Sequence, residues 1–157
     1  MTIQLEGRLA TRDDTPLGDS CAVDRAMQVV GNRTAILLLR EIFYGQARFE
    51  NLHRRVGVTE AVAAQRLKEL VAAGVLAREP YRLPGQRTRH EYVLTGAGHA
   101  LLPVLLGLLE WGWTYAANGY AAGSVTHARC GSDVRVELRC ERGHAVDEED
   151  IVIRGGS

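Results

Sequence analysis

Lysine is nearly missing from this chain: 18 of its 19 basic residues are Arg, and Lys68 stands alone. Guanidinium suits bidentate phosphate contacts, but genomic base composition produces the same bias, so the skew alone assigns no partner. Net charge is missing too, since 19 acidic residues balance the basic ones. The longest apolar stretch, around Leu101 to Leu109, contains Pro103 and Gly107 and is too short to cross a bilayer. The opening MTIQLEGRLATRDD has neither the apolar core nor the cleavage signal of a secretory leader. Cysteine is sparse and odd in number, at three, which in a chain read as unexported argues for a reducing compartment. The expected location is the cytoplasm, with no membrane partner. Catalytic signatures are lacking as well: there is no G-x-S-x-G, no H-E-x-x-H and no P-loop lysine motif. The string TGAGHAL lacks the third glycine and the acidic partner of a dinucleotide loop, and reads as a helix start. The chain is not expected to be an enzyme.

What is there is ordinary globular material. The 157 residues are 46% apolar and 24% charged, enough for one domain, or one small domain and an appendage. Residues 1–20 are polar and read as a flexible N-terminal arm. Asp19 or Ser20 can cap a helix from about Ala22 to Val30, which Gly31 ends. A second helix follows in NRTAILLLREIFYG, with Asn32 as N-cap and Ile36, Leu37, Leu39, Ile42 and Phe43 as its core side.

RFENLHRRVGVTEAVAAQRLKELVAAGVL then reads as helix, short turn, helix. Phe49, Leu52 and Val56 line the first; Gly57 breaks it; Thr59 caps the second, whose inward residues are Ala63, Leu67, Leu70 and Val71. The other face carries Glu60, Ala61, Ala64, Gln65 and Lys68. Small and polar residues there let a backbone approach a major groove about 12 Å wide. VLAREPYR and HEYVLT, joined by LPGQRT, make a hairpin crowded with Arg78, Arg82, Arg87 and Arg89. After Thr95 one long helix is expected to about Ala117. It is apolar around nearly its whole circumference from Leu101 to Trp113, which in so small a chain predicts a subunit interface.

The charge is not evenly spread. Residues 1–20, 21–100 and 101–157 carry net −2, +5 and −3. The excess falls on the helix-turn-helix and the hairpin, as a phosphate-facing surface requires, although scattered solvated Arg would give the same count.

These segments resemble the HxlR-type winged helix-turn-helix regulators, of MarR-like architecture, over about residues 21–113. The landmarks are RF-x-x-L at Arg48, RL-x-x-L at Arg66, EY-x-LT-x-x-G at Glu91 and LLPVL near Leu101. The chain departs from the pattern at Arg33-Thr34, where the family usually has Lys-Trp. The resemblance implies a mainly α fold with a small β-hairpin wing, and a homodimeric, sequence-specific DNA-binding regulator of transcription. Its partners would be double-stranded DNA on a pseudo-palindromic operator, a second copy through the helix around Leu101–Trp113, and an unidentified small-molecule effector or redox signal. Thr59, Ala61, Ala64, Gln65 and Lys68 would face base edges or phosphates. Arg33, Arg48 and Arg66 would hold phosphates, with Arg66 equally able to pair with a nearby Glu. Arg82, Arg87 and Arg89 would belong to the wing. A winged-helix scaffold that binds protein instead of DNA is the alternative.

Cys21 sits at the start of the first helix, where the helix dipole favours a thiolate, and some relatives resemble redox switches with a Cys near this place. A structural thiol is the other reading. Beyond residue 123 the composition changes into a small β-rich appendage, in which DVRVELRC alternates as a half-exposed strand and DIVIRG is a second extended piece. His127, Cys130, Cys140 and His144 are spaced as two knuckles of a tetrahedral Zn²⁺ site, but Gly143 stands where a zinc ribbon would have its last Cys. A zinc site completed by His144, a decayed ribbon without metal, and a Cys130–Cys140 disulfide all remain open. The expected domains are 1–20, 21–122 and 123–157.

Overall fold

A computed structural model describes residues 3–11, 21–82, 84–85, 87–116 and 118–155. The elements run β1 (Gln4–Glu6), α1 (Ala22–Val30), α2 (Arg33–Phe43), α3 (Phe49–Val56), α4 (Glu60–Ala72), β2 (Leu76–Tyr81), β3 (Arg89–Leu94), α5 (Gly96–His99), α6 (Leu102–Tyr115) and β4 (Val152–Arg154). The chain divides into two compact units. One is Gly18–Gly112; the other joins Met1–Leu17 to Trp113–Ser157.

The first unit is a winged helix-turn-helix. Each helix is bounded by its own sequence. Asn32 Oδ1 accepts from Thr34 N at 2.9 Å to start α2, and Thr59 Oγ1 accepts from Val62 N at 3.3 Å to start α4. Gly57 closes α3 at φ +74°, in the left-handed region that other residues rarely enter. The core is made of Val30, Ala35, Leu38, Leu39, Ile42, Leu52, Val56, Ala63, Leu67, Leu70, Val75 and Leu76. Burying each of the leucines fully is worth roughly 2 kcal/mol, so these positions fix how α2, α3 and α4 pack. Leu38 belongs to this core although Ile36, Leu37 and Phe43, expected there, are only half-buried.

The wing is an antiparallel hairpin in the register Leu76–Leu94 to Tyr81–Arg89. Thr95 stitches its base to the turn after α4, its hydroxyl donating to Gly74 O at 2.5 Å, with Val75 O at 3.1 Å, while also accepting from Gly98 N at 3.2 Å. Gly98 is required there: a Cβ would stand 2.3 Å from Val75 O.

Four expectations are corrected. The single helix after Thr95 is two, because the chain turns at Ala100 and Leu101 and Pro103, which has no N–H to donate, occupies the first turn of α6. Cys21, not Asp19 or Ser20, is the N-cap of α1: its backbone is extended and its Sγ accepts from Asp24 N at 3.5 Å. Asp19 and Ser20 lie outside the described residues. The start of the presumed arm is ordered into β1, which pairs in parallel with β4 from Gln4–Val152 to Glu6–Arg154. The Glu6 carboxylate accepts from Arg154 Nε at 2.6 Å across that pair. Finally, residues 134–138 form no regular strand with a neighbour; the appendage is built of two knuckles, closed by Thr126 opposite Asp133 and Arg139 opposite Ala145.

Candidate nucleic-acid interface

The second helix of the helix-turn-helix, α4, is held from one side only. Ala63, Leu67 and Leu70 are buried, and Thr59, Ala61, Ala64, Gln65 and Lys68 are exposed. Positions 61, 64, 65 and 68 recur at three and four residues, so they share one face of the helix. That face begins with two alanines, which add almost no bulk.

Two of the candidate contacts are already engaged. Glu69 accepts from Gln65 Nε2 at 2.8 Å and from Arg66 Nη1 at 2.5 Å. Hydrogen bonds from Gln65 first and Arg66 second hold the Glu69 carboxyl below its ordinary pKa. Arg66 is therefore tied along its own helix, the pairing left open by the sequence, and it is half-buried.

Arg48 connects α3 to the wing. It stands at the N-cap of α3 with its guanidinium 5.0 Å from the Tyr81 ring centre, a cation–π contact. Its backbone lies opposite Glu91, and Tyr92 N donates to Ala47 O at 2.9 Å, so a short third segment joins the wing sheet. Gly45, Gln46, Ala47, Arg48, Asn51 and Glu91 line a shallow polar recess at this junction. Arg89 bridges the same two elements, Nη1 donating to Glu50 Oε1 at 2.6 Å. Arg82 and Arg87 are exposed between the strands of the wing, and Arg33 is exposed on the first turn of α2. Thr34, the departure from the family pattern, is half-buried, and its N–H serves the Asn32 cap.

Sequence reasoning missed Glu41. This carboxylate on α2 is 1% exposed inside the core, accepting from Arg40 Nη2 at 2.6 Å and Arg55 Nε at 3.0 Å. Burial pushes its pKa up, but the hydrogen bonds from Arg55 and Arg40, with their charges, outweigh this and hold it below 4.5. The available signal was an acidic residue on the apolar side of α2, next to Ile42.

The family model for HxlR-like helix-turn-helix proteins matches residues 29–120. The chain belongs to this family. It is 36% identical over 120 residues to an uncharacterised HTH-type transcriptional regulator of Mycobacterium tuberculosis, covering 76% of this chain and 75% of that one. A similar regulator of Methanothermobacter thermautotrophicus is 32% identical over 122 residues, covering 75% and 91%. Among solved structures, PA1607, described as a candidate transcription factor, superposes with a TM-score of 0.76 at 29% identity, covering 87% of this chain and 96% of that one. The reduced form of the redox regulator HypR superposes at 0.54 with 29% identity, covering 60% and 92%. As an HxlR-like protein the chain is a DNA-binding regulator of transcription and not an enzyme. Among its described residues no helix is long and apolar enough to cross a membrane.

None of the three cysteines lies on α4. Cys21 is a half-buried free thiol at the start of α1. In the appendage His127 Nδ1 lies 3.1 Å from Cys130 Sγ, and Cys140 caps the other knuckle, its N–H donating to His144 O at 3.1 Å. Cys130 and Cys140 are free thiols. Among the described residues no three His, Cys, Asp or Glu side chains gather as a metal site. Of the three readings open for His127, Cys130, Cys140 and His144, the zinc site is not supported and the Cys130–Cys140 disulfide is not formed. The physical reason is local: Gly143, at φ +83°, turns the second knuckle with no side chain, and its carbonyl accepts from Arg139 Nη1 at 2.8 Å.

Proposed function

We propose that this regulator binds a pseudo-palindromic double-stranded operator as a homodimer, and that a redox or small-molecule signal changes its occupancy. One observation carries the reading: α6 is apolar except for Glu110 and Thr114, yet has no buried residue in a single chain. Leu102, Val104, Leu108 and Trp111 are all exposed. Apolar surface of this kind is covered in solution, and a second α6 is the self-complementary cover. The exposed Val23 and Met27 of α1 add to the same demand.

A two-fold dimer presents two α4 helices, so its half-sites would lie about one helical turn apart. Thr59, Ala61, Ala64, Gln65 and Lys68 would meet bases and nearby phosphates, Gln65 after exchanging Glu69 for adenine. Arg33, Arg48, Arg82, Arg87 and Arg89 would follow the backbone and minor groove. Arg66, held by Glu69, would act through the helix and not on DNA. Cys21 is the candidate redox group. Its place at the start of α1, beside the exposed apolar residues, would couple its oxidation to the dimer, and the likeness to the redox regulator HypR supports this.

Selection of bound fragments from a random duplex pool, followed by titration on selected and scrambled duplexes, tests the reading. Preference for a two-fold symmetric site supports it. Equal binding of scrambled DNA, with oxidant and reductant both tried, overturns it in favour of a protein-binding scaffold.

A further inference from the structure

The segment Asp133-Val134-Arg135-Val136-Glu137-Leu138-Arg139 runs between the two knuckles of the appendage, and residues 134–138 contain no turn or bend. The backbone hydrogen bonds near its two ends leave from one edge. Val134 N donates to Val125 O at 2.7 Å, and Leu138 O accepts from Val146 N at 3.0 Å. Just outside, Ser132 O accepts from His127 N at 2.8 Å, and Cys140 N donates to His144 O at 3.1 Å. These are all even-numbered residues. In an extended chain the backbone polar groups of successive residues point to opposite edges, so those of 133, 135, 137 and 139 face the other way. Among the described residues none of these four makes a backbone–backbone hydrogen bond. The segment therefore has one occupied edge and one open edge, and an open edge is a template for another strand.

Its side chains are also sorted. Val134, Val136 and Leu138 lie on one face and are 41%, 40% and 58% exposed. Asp133, Arg135, Glu137 and Arg139 lie on the other, where Arg139 Nη2 already reaches Glu137 Oε2 at 2.8 Å. The order of charges along that face, acid, base, acid, base, balances to zero and is complementary to its own reverse.

We propose that this edge pairs with the same edge of a second copy of the chain, antiparallel, about a two-fold axis at Val136. In that register Arg135 faces the partner subunit's Glu137, and Asp133 faces the partner subunit's Arg139. Val134 meets the partner subunit's Leu138, and the two Val136 side chains meet each other. The odd residues, whose polar groups point to the open edge, become the hydrogen-bonded pairs. Neighbouring registers fail. An axis at Arg135 sets Arg against Arg and Asp against Glu; one at Glu137 sets Glu against Glu and Arg against Arg. Directly opposed like charges are destabilising. An axis between residues would oppose the apolar face to the charged one. Parallel in-register pairing stacks every charge on its like. Among registers that pair five or more of the seven residues, this one alone satisfies edge, face and charge together, and it is a self-pairing. A seven-residue edge is far short of the roughly 1,200 Å² of a stable interface, so the contact is transient unless the copies are joined elsewhere. It does not depend on α6 or on DNA.

Disulfide trapping reads such a contact directly. In full-length protein carrying Cys21→Ser, Cys130→Ser and Cys140→Ser, Val136→Cys places a single thiol on the axis. A non-hydrogen-bonded antiparallel pair sets Cα atoms about 4.5 Å apart, within disulfide reach. Val134→Cys is the matched control, since its two copies would lie about 13 Å apart along the ladder. The expected result is a covalent species of twice 17.2 kDa on a non-reducing gel, formed at least tenfold faster with Val136→Cys than with Val134→Cys. Adding Glu137→Arg should slow the crosslink several-fold, and Arg135→Glu with Glu137→Arg should restore it. Crosslinking of Val136→Cys no faster than the control overturns the proposal and leaves the edge to another protein or to solvent. Failure of the charge swap to restore it overturns the register.

Discussion

Glu41 on α2 accepts a hydrogen bond from Arg55 on α3 at 3.0 Å, fastening the first helix of the helix-turn-helix to the core through a buried carboxylate. The Arg55 side chain is 63% exposed, so the bond joins the interior to the outer side of α3. Arg40, on the same helix as Glu41, supplies the second partner. The angle at which α3 leaves α2 is thus set by polar geometry as well as by Leu52 and Val56, and α4 inherits that angle through the turn at Gly57.

Glu41→Gln should destabilise the protein by about 1–3 kcal/mol, less than a fully buried pair would cost because both Arg side chains reach water and can rehydrate. The pH dependence follows from the lowered pKa. A carboxyl held below its unfolded value of 4.5 contributes stability above that pH and loses it as pH falls through the lower folded value. Urea melts at pH 7 and pH 3.5 should therefore differ less for Glu41→Gln than for the wild type. An equal pH difference in both would show that Glu41 is not the group responsible.

Cys130 should be the most reactive thiol of the appendage at neutral pH. The Ser132 side chain, then the Ser132 backbone and His127, lower its pKa to about 7. Alkylation by iodoacetamide at Cys130 should accordingly rise with pH around a midpoint near 7, and Ser132→Ala should move that midpoint upward. Peptide mapping of the alkylated protein checks this; a midpoint near 9 would contradict it.

The parts of this fold written by local rules were legible from sequence. Asn32, Thr59 and Thr95 cap where their side chains and the following apolar period say they should. Pro84 and Gly85 lie in the turn between the two strands of the wing. Whatever depended on distant partners was not legible. Nothing near Gln4 announces that its strand partner is Val152, and an acidic residue in α2 does not reveal which Arg will meet it. The knuckle spacing of His127, Cys130, Cys140 and His144 was read correctly as two turns, but spacing says nothing about whether four side chains converge. On α4 the outward positions follow from period, whereas the capture of Gln65 and Arg66 by Glu69 depends on side-chain rotamers that period does not specify.

Leu108→Glu should separate the proposed α6 dimer. Leu108 is 51% exposed in the single chain, so the substitution leaves the fold intact while placing a charge where a second helix would pack. Sedimentation should move from twice 17.2 kDa to a single chain. Operator affinity should fall by at least about a hundredfold, since two linked half-sites then bind independently. An unchanged mass would mean that the apolar face of α6 is covered in some other way.

Salt dependence separates the two kinds of DNA contact. Each neutralised phosphate releases counterions, so Arg87→Ala should weaken binding to every duplex and flatten the plot of log affinity against log salt by roughly one unit. Gln65→Ala should leave that slope alone and relax preference at one position per half-site, costing about 1–3 kcal/mol where the contact is bidentate. Glu50→Gln works in the opposite direction. Arg89 is paired with the Glu50 carboxylate at 2.6 Å, and removing that negative charge should raise affinity for selected and scrambled duplexes alike. Titrations of the three variants at several salt concentrations check all of this together. A change of slope in Gln65→Ala, or a loss of affinity in Glu50→Gln, would mean that the phosphates do not run along the wing and the first turn of α3.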